Sequence, residues 1–258
     1  MRSFCYVTAL GFILLVGPAL AQQNPPSEVI ANLTIHPERT SIGNGDNWPI
    51  TWADDGDQYT VYCDGEGFGG GSGKGSMSLA RIVGNPPTFT GENLTSPSGH
   101  KAGGGPKGRK ASGLVMVDGV LYMWVRNLND DGTGSSLAWS EDRAKTWTWA
   151  EWNFPKIGYP TWLNAGENYS DAQDDFAYLY SPDTPSAYKT TDRMILARVP
   201  TFEIRNQKAY RFFAGLEVSR CLRGFHAVGT MAHGEANPRL GRRRESISAS
   251  CSGEVDQR

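Results

Sequence analysis

The sequence predicts an all-β fold, a partial β-propeller of about three four-stranded blades, on three recurring strings. Ser78-Leu79-Ala80-Arg81, Ser136-Leu137-Ala138-Trp139 and Ile195-Leu196-Ala197-Arg198 place their alanines 58 and then 59 residues apart. Upstream of them run Gln58–Tyr62, Val120–Trp124 and Phe176–Tyr180, each rich in β-branched or aromatic residues and each preceded by a turn. Further upstream lie Trp48–Trp52, Gly113–Val117 and Tyr159–Leu163. Each unit thus reads strand, turn, strand, long loop, strand, with Trp147–Trp152 supplying a fourth strand. A β-sandwich with fortuitous internal similarity is the plainer alternative.

The turns support the strands. Asp54-Asp55-Gly56-Asp57 and Asp118-Gly119 are hairpin signals between apolar runs, and Asn164–Asp175 is a longer connection. Ser140–Trp147 resembles the Asp-box of sialidase-like propellers, in which Asp and Ser/Thr side chains lock a tight hairpin over a Trp. Ala144 stands where that motif usually has Gly and is costly if its φ is positive.

The organisation along the chain follows. Residues 1–21 read as a signal peptide: Arg2, an apolar run from Phe4 to Val16, and small residues ending at Ala21. The run is too short to span a bilayer, and no stable membrane anchor is expected. The product is then secreted or periplasmic. Residues 22–40 read as a linker, 41–214 as the incomplete propeller, and 215–258 as a disordered basic tail. The tail has seven Arg, only one aromatic residue, Phe225, and the run Arg242-Arg243-Arg244. Its abrupt change of character suggests a frameshifted or truncated reading of a longer gene.

Charge and cysteines narrow the partners. The net charge of −2 becomes −5 for the body between the signal and the tail, which argues against nucleic acid as a partner. All eight Trp fall between Trp48 and Trp162; most are expected in the core, with some suited to sugar faces. Cys63 reads as a buried thiol within a strand, and a Cys221–Cys251 bridge is one option for the other two. No metal-ligand spacing, P-loop, G-x-S-x-G elbow or D-x-D-x-D-G loop occurs, so no cofactor or metal is called for. Gly103–Gly108 reads as a flexible loop.

Gly45–Gly56, Tyr62-Cys63-Asp64-Gly65, Ser112-Gly113-Leu114 and Val117–Asn127 resemble bacterial proteins of the domain of unknown function 4185. The similarity continues through Ser181-Pro182-Asp183 to Arg198-Val199-Pro200 and covers about 41–214. The resemblance implies a five-bladed propeller and, from some members, endo-D-arabinofuranase-like activity on glycans. This chain departs from the family pattern by lacking the later blades.

Topology selects the site. In a propeller the innermost strand of each blade starts at the mouth of the axis and the second strand returns there. Asp46 and Asp64 are the candidate catalytic pair, brought together by a hairpin; a like-charged neighbour would raise one of their pKa values and create an acid. Asn47, Trp48, Arg126 and Asn127 are candidate substrate-binding residues. Lys110, Ser112, Tyr159 and Asp183 fall at the same end, with Lys110 read as a solvated loop charge, whereas Asp54, Asp55, Asp118, Asp174 and Asp175 fall at the other and are structural. Three functions compete: a secreted glycoside hydrolase-like propeller acting on a polysaccharide, a non-catalytic glycan- or protein-binding propeller, and an inactive truncated remnant.

Overall fold

The computed structural model describes Thr34 and residues 43–70, 74–85, 87–129, 131–221 and 224–233. The chain divides into Met1–Thr40 and Ser41–Arg258. The signal peptide, the linker apart from Thr34, Cys251 and the arginine run lie outside the described residues.

Ser41–Arg258 contains three antiparallel sheets in chain order. The first holds β1 (Gly43–Asp46), β2 (Ile50–Trp52), β3 (Gln58–Phe68), β4 (Ser78–Val83) and β5 (Thr90–Leu94). The second holds β6 (Lys110–Val117), β7 (Val120–Arg126), β8 (Ser135–Ser140) and β9 (Thr148–Trp149). The third holds β10 (Thr161–Trp162), β11 (Phe176–Pro182), β12 (Met194–Pro200), β13 (Arg211–Cys221) and β14 (Gly224–His233). Each sheet is a meander, and β1 adds to the far half of β3.

The repeated alanines occupy one structural position. Ala80, Ala138 and Ala197 lie on the third strand of each meander, paired with Thr60, Met123 and Leu179 on the second. All three alanines are fully buried, where a larger side chain would collide with the packed sheets.

The innermost strands β2, β6 and β10 lie together and run the same way. Thr51 Oγ1 accepts from the Met116 amide at 3.0 Å and donates to Asn164 Oδ1 at 2.7 Å. Asn164 Nδ2 donates to the carbonyls of Ile50 and Leu114 at 3.1 and 3.2 Å. Nearer the strand starts, Asn47 Nδ2 donates to the Ala111 carbonyl and Ser112 Oγ to that of Pro160. The match of 47 with 111 and 160, then 51 with 116 and 164, sets three parallel strands about one axis. The fold is therefore a partial propeller of three blades. Gly113 is required by the closeness of β6 to β10: a Cβ there would lie 2.8 Å from Thr161 Cα.

Strand β6 is buried along its whole length. Leu114 and Met116 face the core shared with the first sheet, while Val115 and Val117 face the core shared with the third. Burial on both faces explains why this strand reads as a continuous apolar run rather than an alternating one. The second core centres on Trp124, which lies 5.5–6.1 Å from Trp152, Phe154, Trp162 and Tyr210.

The Asp-box resemblance is matched by hydrogen bonds. Ser140 Oγ donates to Asp142 Oδ1 at 2.8 Å, and the Thr146 amide donates to the same oxygen at 2.8 Å. Trp147 is buried in the core between the first two sheets. Ala144 has φ +66°, the strained conformation foreseen for a non-glycine residue there.

Strands β13 and β14 pair from Arg211↔His233 to Cys221↔Gly224 and extend the third sheet. The Gly103–Gly108 loop is tied to the second sheet by Asn127 Nδ2, which donates to the carbonyls of Gly105 and Gly108 at 3.3 and 2.9 Å. No helix among the described residues is long and apolar enough to cross a membrane.

Candidate functional site at the mouth of the axis

The predicted mouth residues other than Asp183 are linked by a chain of contacts. Asp46 pairs with Cys63 across β1 and β3, one residue from Asp64. Between Asn44 and Asp46 the register slips, so β3 carries extra residues opposite Gly45. Asp64 takes φ +50° in this bulge. Its neighbour Gly65 cannot be replaced, because a Cβ would lie 2.3 Å from Gly45 Cα. Asn47 and Asn127 also have positive φ, +50° and +61°. Asn and Asp tolerate this region best among non-glycine residues, so backbone geometry favours these residue types at three of the six predicted positions.

Lys110 overturns its expectation as a solvated loop charge. Its side chain is 3% exposed and its ammonium contacts Asp64 Oδ2. Strand β6 begins here and carries Lys110 inward with the rest of its buried run. The charge observed against Asp64 is thus opposite in sign to the like-charged neighbour expected from the sequence. Asp64 Oδ1 is buried without a hydrogen-bond partner. Asp46 is exposed.

Arg126 is also buried. Its guanidinium lies 4.7 Å from the Tyr159 ring centroid and 5.6 Å from that of Tyr188. Nη1 donates to Asn127 Oδ1 and to the Tyr188 hydroxyl, both at 3.3 Å. Asn127 Nδ2 donates to the same hydroxyl at 2.9 Å. Tyr159 donates in turn to Asn47 Oδ1. Trp48 packs on Tyr62 and Phe68 at 5.3 and 5.2 Å and is half-buried, so its ring takes part in the packing of the first sheet.

Burial pushes the Cys63 thiol up to about 11, against an opposing pull from its contact with the Ala111 carbonyl and from Lys110 and Arg126. At neutral pH it is an inert thiol, as expected of a buried cysteine. Burial also raises the Tyr159 hydroxyl; Arg126 opposes this, and the charges of Cys63 and Asp46 add to it. Asp183 pairs with Arg193 at 3.1 Å instead of joining the mouth. Tyr188, in the loop after β11, is the mouth residue that the sequence reading missed, and no spacing or motif marks it.

At the opposite end a cleft of about 810 Å³ is lined by Asp54, Asp55, Tyr59, Arg81, Glu141 and Arg143. Its charges are internally matched: Arg143 meets Asp54 and Asp55 at 3.2 Å, and Arg81 meets Asp55 at 3.6 Å. Asp174 accepts from Tyr178 at 2.6 Å. These aspartates make structural contacts at the end where topology puts them. No cluster of three or more metal-ligating side chains occurs among the described residues.

No protein-family model matches the chain. The comparison with curated proteins finds no match either. Among solved structures, the chain is similar to the phage phi92 endosialidase, at 15% identity and a TM-score of 0.36, over 65% of this chain and 26% of that one. It is similar to the GH43_1 enzyme from Xanthomonas citri complexed with xylotriose, at 11% identity and 0.39, over 78% and 73%. It is also similar to a xylan β-1,4-xylosidase from Bacillus halodurans, at 12% identity and 0.37, over 81% and 42%. The chain thus spans about a quarter of the endosialidase and under half of the xylosidase.

Proposed function

We propose that this chain is a secreted, carbohydrate-active propeller of the glycoside-hydrolase kind, working on a cell-wall or environmental polysaccharide at the mouth of its axis. The observation that carries this reading is the gathering of Asp46, Asn47, Asp64, Arg126 and Asn127 at one end of three parallel inner strands. Glycoside cleavage commonly needs one carboxyl group that carries charge and one that carries a proton. Asp64, facing the Lys110 ammonium, and Asp46, exposed on the adjoining strand, are the two carboxyl groups of the pair. Asn47, Arg126 and Asn127 hold sugar hydroxyls, and Trp48 offers an apolar face.

Arabinan is the first polysaccharide to test, because the resemblance to the domain of unknown function 4185 suggests it. Release of reducing ends by the purified chain is compared with that by Asp46→Asn and Asp64→Asn. Each substitution is expected to lower release by about 100-fold or more. Equal release by all three proteins removes the catalytic assignment.

One observation favours a second reading, a non-catalytic binding propeller. Asp64 has a structural reason to be acidic, namely its bulged backbone and its buried lysine partner. On that reading the chain is retarded by polysaccharide in affinity electrophoresis, releases no reducing ends, and binds equally well as Asp46→Asn.

A further inference from the structure

The mouth holds two buried cations, Lys110 and Arg126, and only Lys110 has a carboxylate against it. Among the described residues no carboxylate lies within ion-pair distance of Arg126, which is 7% exposed. Its Nε is buried with no hydrogen-bond partner. Burying a charge without a counter-charge is costly, and an arginine kept in that state is a site marker. The surroundings indicate what is missing. Arg126 Nη1 and Asn127 Nδ2 both donate to one neutral oxygen, the Tyr188 hydroxyl. Two donors aimed at a single acceptor, one of them cationic, are better matched by an anionic oxygen. Tyr188 is 48% exposed, so the member occupying that position is the outermost of the group.

We infer that the mouth takes a sugar bearing a carboxylate, which displaces the Tyr188 hydroxyl and pairs with Arg126. This inference deepens the glycan reading above and rests on it. The planar guanidinium fork suits a carboxylate better than a hydroxyl. Tyr159 and Asn47 link Arg126 to the strand that ends in Asp46. Two carboxylate sugars, uronates and sialates, share this chemistry.

The test measures binding of trigalacturonate, its methyl ester, sialyllactose and neutral arabino-oligosaccharide by calorimetry. The free acid of at least one acidic probe is expected to bind about ten-fold tighter than a neutral one, as one charge-assisted contact provides. Arg126→Gln abolishes that difference, and Arg126→Lys restores part of it. Circular dichroism checks that both variants fold; the acid-to-ester comparison in the unaltered chain needs neither. Tyr188→Phe, which removes the competing hydroxyl, strengthens acidic binding. Preference for sialyllactose supports the inference and assigns the sialate source; preference for trigalacturonate assigns the uronate. Equal binding of acid and ester, or binding of the neutral probe alone, overturns the inference and leaves the glycan reading standing. Binding of no probe overturns both.

Discussion

Single residues at the mouth carry opposite structural duties. Lys110 is the clearest case, because its ammonium and the Asp64 carboxylate are held together where little water reaches. Removing one member of a buried pair leaves the other charge without compensation, at a cost of about 3–5 kcal/mol. Asp64 retains some exposure, 24% of its side chain, which places Lys110→Met near 3 kcal/mol of lost stability. Urea denaturation measures this, and the double variant Lys110→Met, Asp64→Asn is expected to recover part of the loss. A cost near zero for Lys110→Met shows instead that water already screens the pair. Nothing in a single sequence separates such a lysine from a solvated one except its place at the head of a strand that proves buried on both faces.

Elements were more legible than residues, for a physical reason. Strand-forming residue types and turn chemistry are local properties, and they mark the first three strands of every blade: β2, β6 and β10, then β3, β7 and β11, then β4, β8 and β12. The short β1 escaped, since Gly43-Asn44-Gly45-Asp46 has no strand propensity and is held only by pairing with the far half of β3. The mouth was legible through topology alone: strand direction fixes which ends meet, whereas the partners found there, such as Tyr188, depend on loop paths. The hairpin between β8 and β9 yields a prediction at this scale. Asp142 is held below the usual carboxylate range: burial raises it, but donors from Thr146, Ser140 and Lys145 outweigh that effect. Its folded-state pKa is depressed, so the stabilisation is present above the ordinary value of 3.8 and is lost as pH falls through the lower folded value. Asp142→Ala is expected to cost about 2 kcal/mol at pH 7 and progressively less in acid, read as urea midpoints from pH 7 to pH 3. A loss that does not shrink in acid contradicts this account.

For the whole molecule, the balance of titrating groups sets an alkaline limit. Burial, reinforced by Asp55, lifts the Tyr59 hydroxyl to about 12, and burial lifts Cys63 to about 11. Tyr210, in the core between the second and third sheets, is raised well above 10 by burial. Each group keeps its proton in the folded chain at a pH where the unfolded chain has lost it. Their contribution is therefore complete below the unfolded values and vanishes as pH climbs through the folded ones. Stability is expected to hold to about pH 9 and to fall between roughly pH 9 and 12, with Tyr59→Phe flattening the upper part of that decline. Unfolding midpoints recorded across this range test it, and a flat profile to pH 12 refutes it.

The aromatic seam around Trp124 gives the molecule an optical signature. Trp124 meets Trp162 at 5.5 Å and 34°, and Trp152 at 6.1 Å and 66°, in a cluster that joins the second and third sheets. Indole chromophores this near exchange excitation, and their fixed tilt makes the exchange chiral. Near-ultraviolet dichroism of this chain accordingly reports how one blade docks on the next, and a preparation with paired strands but unseated blades would be dark in that band.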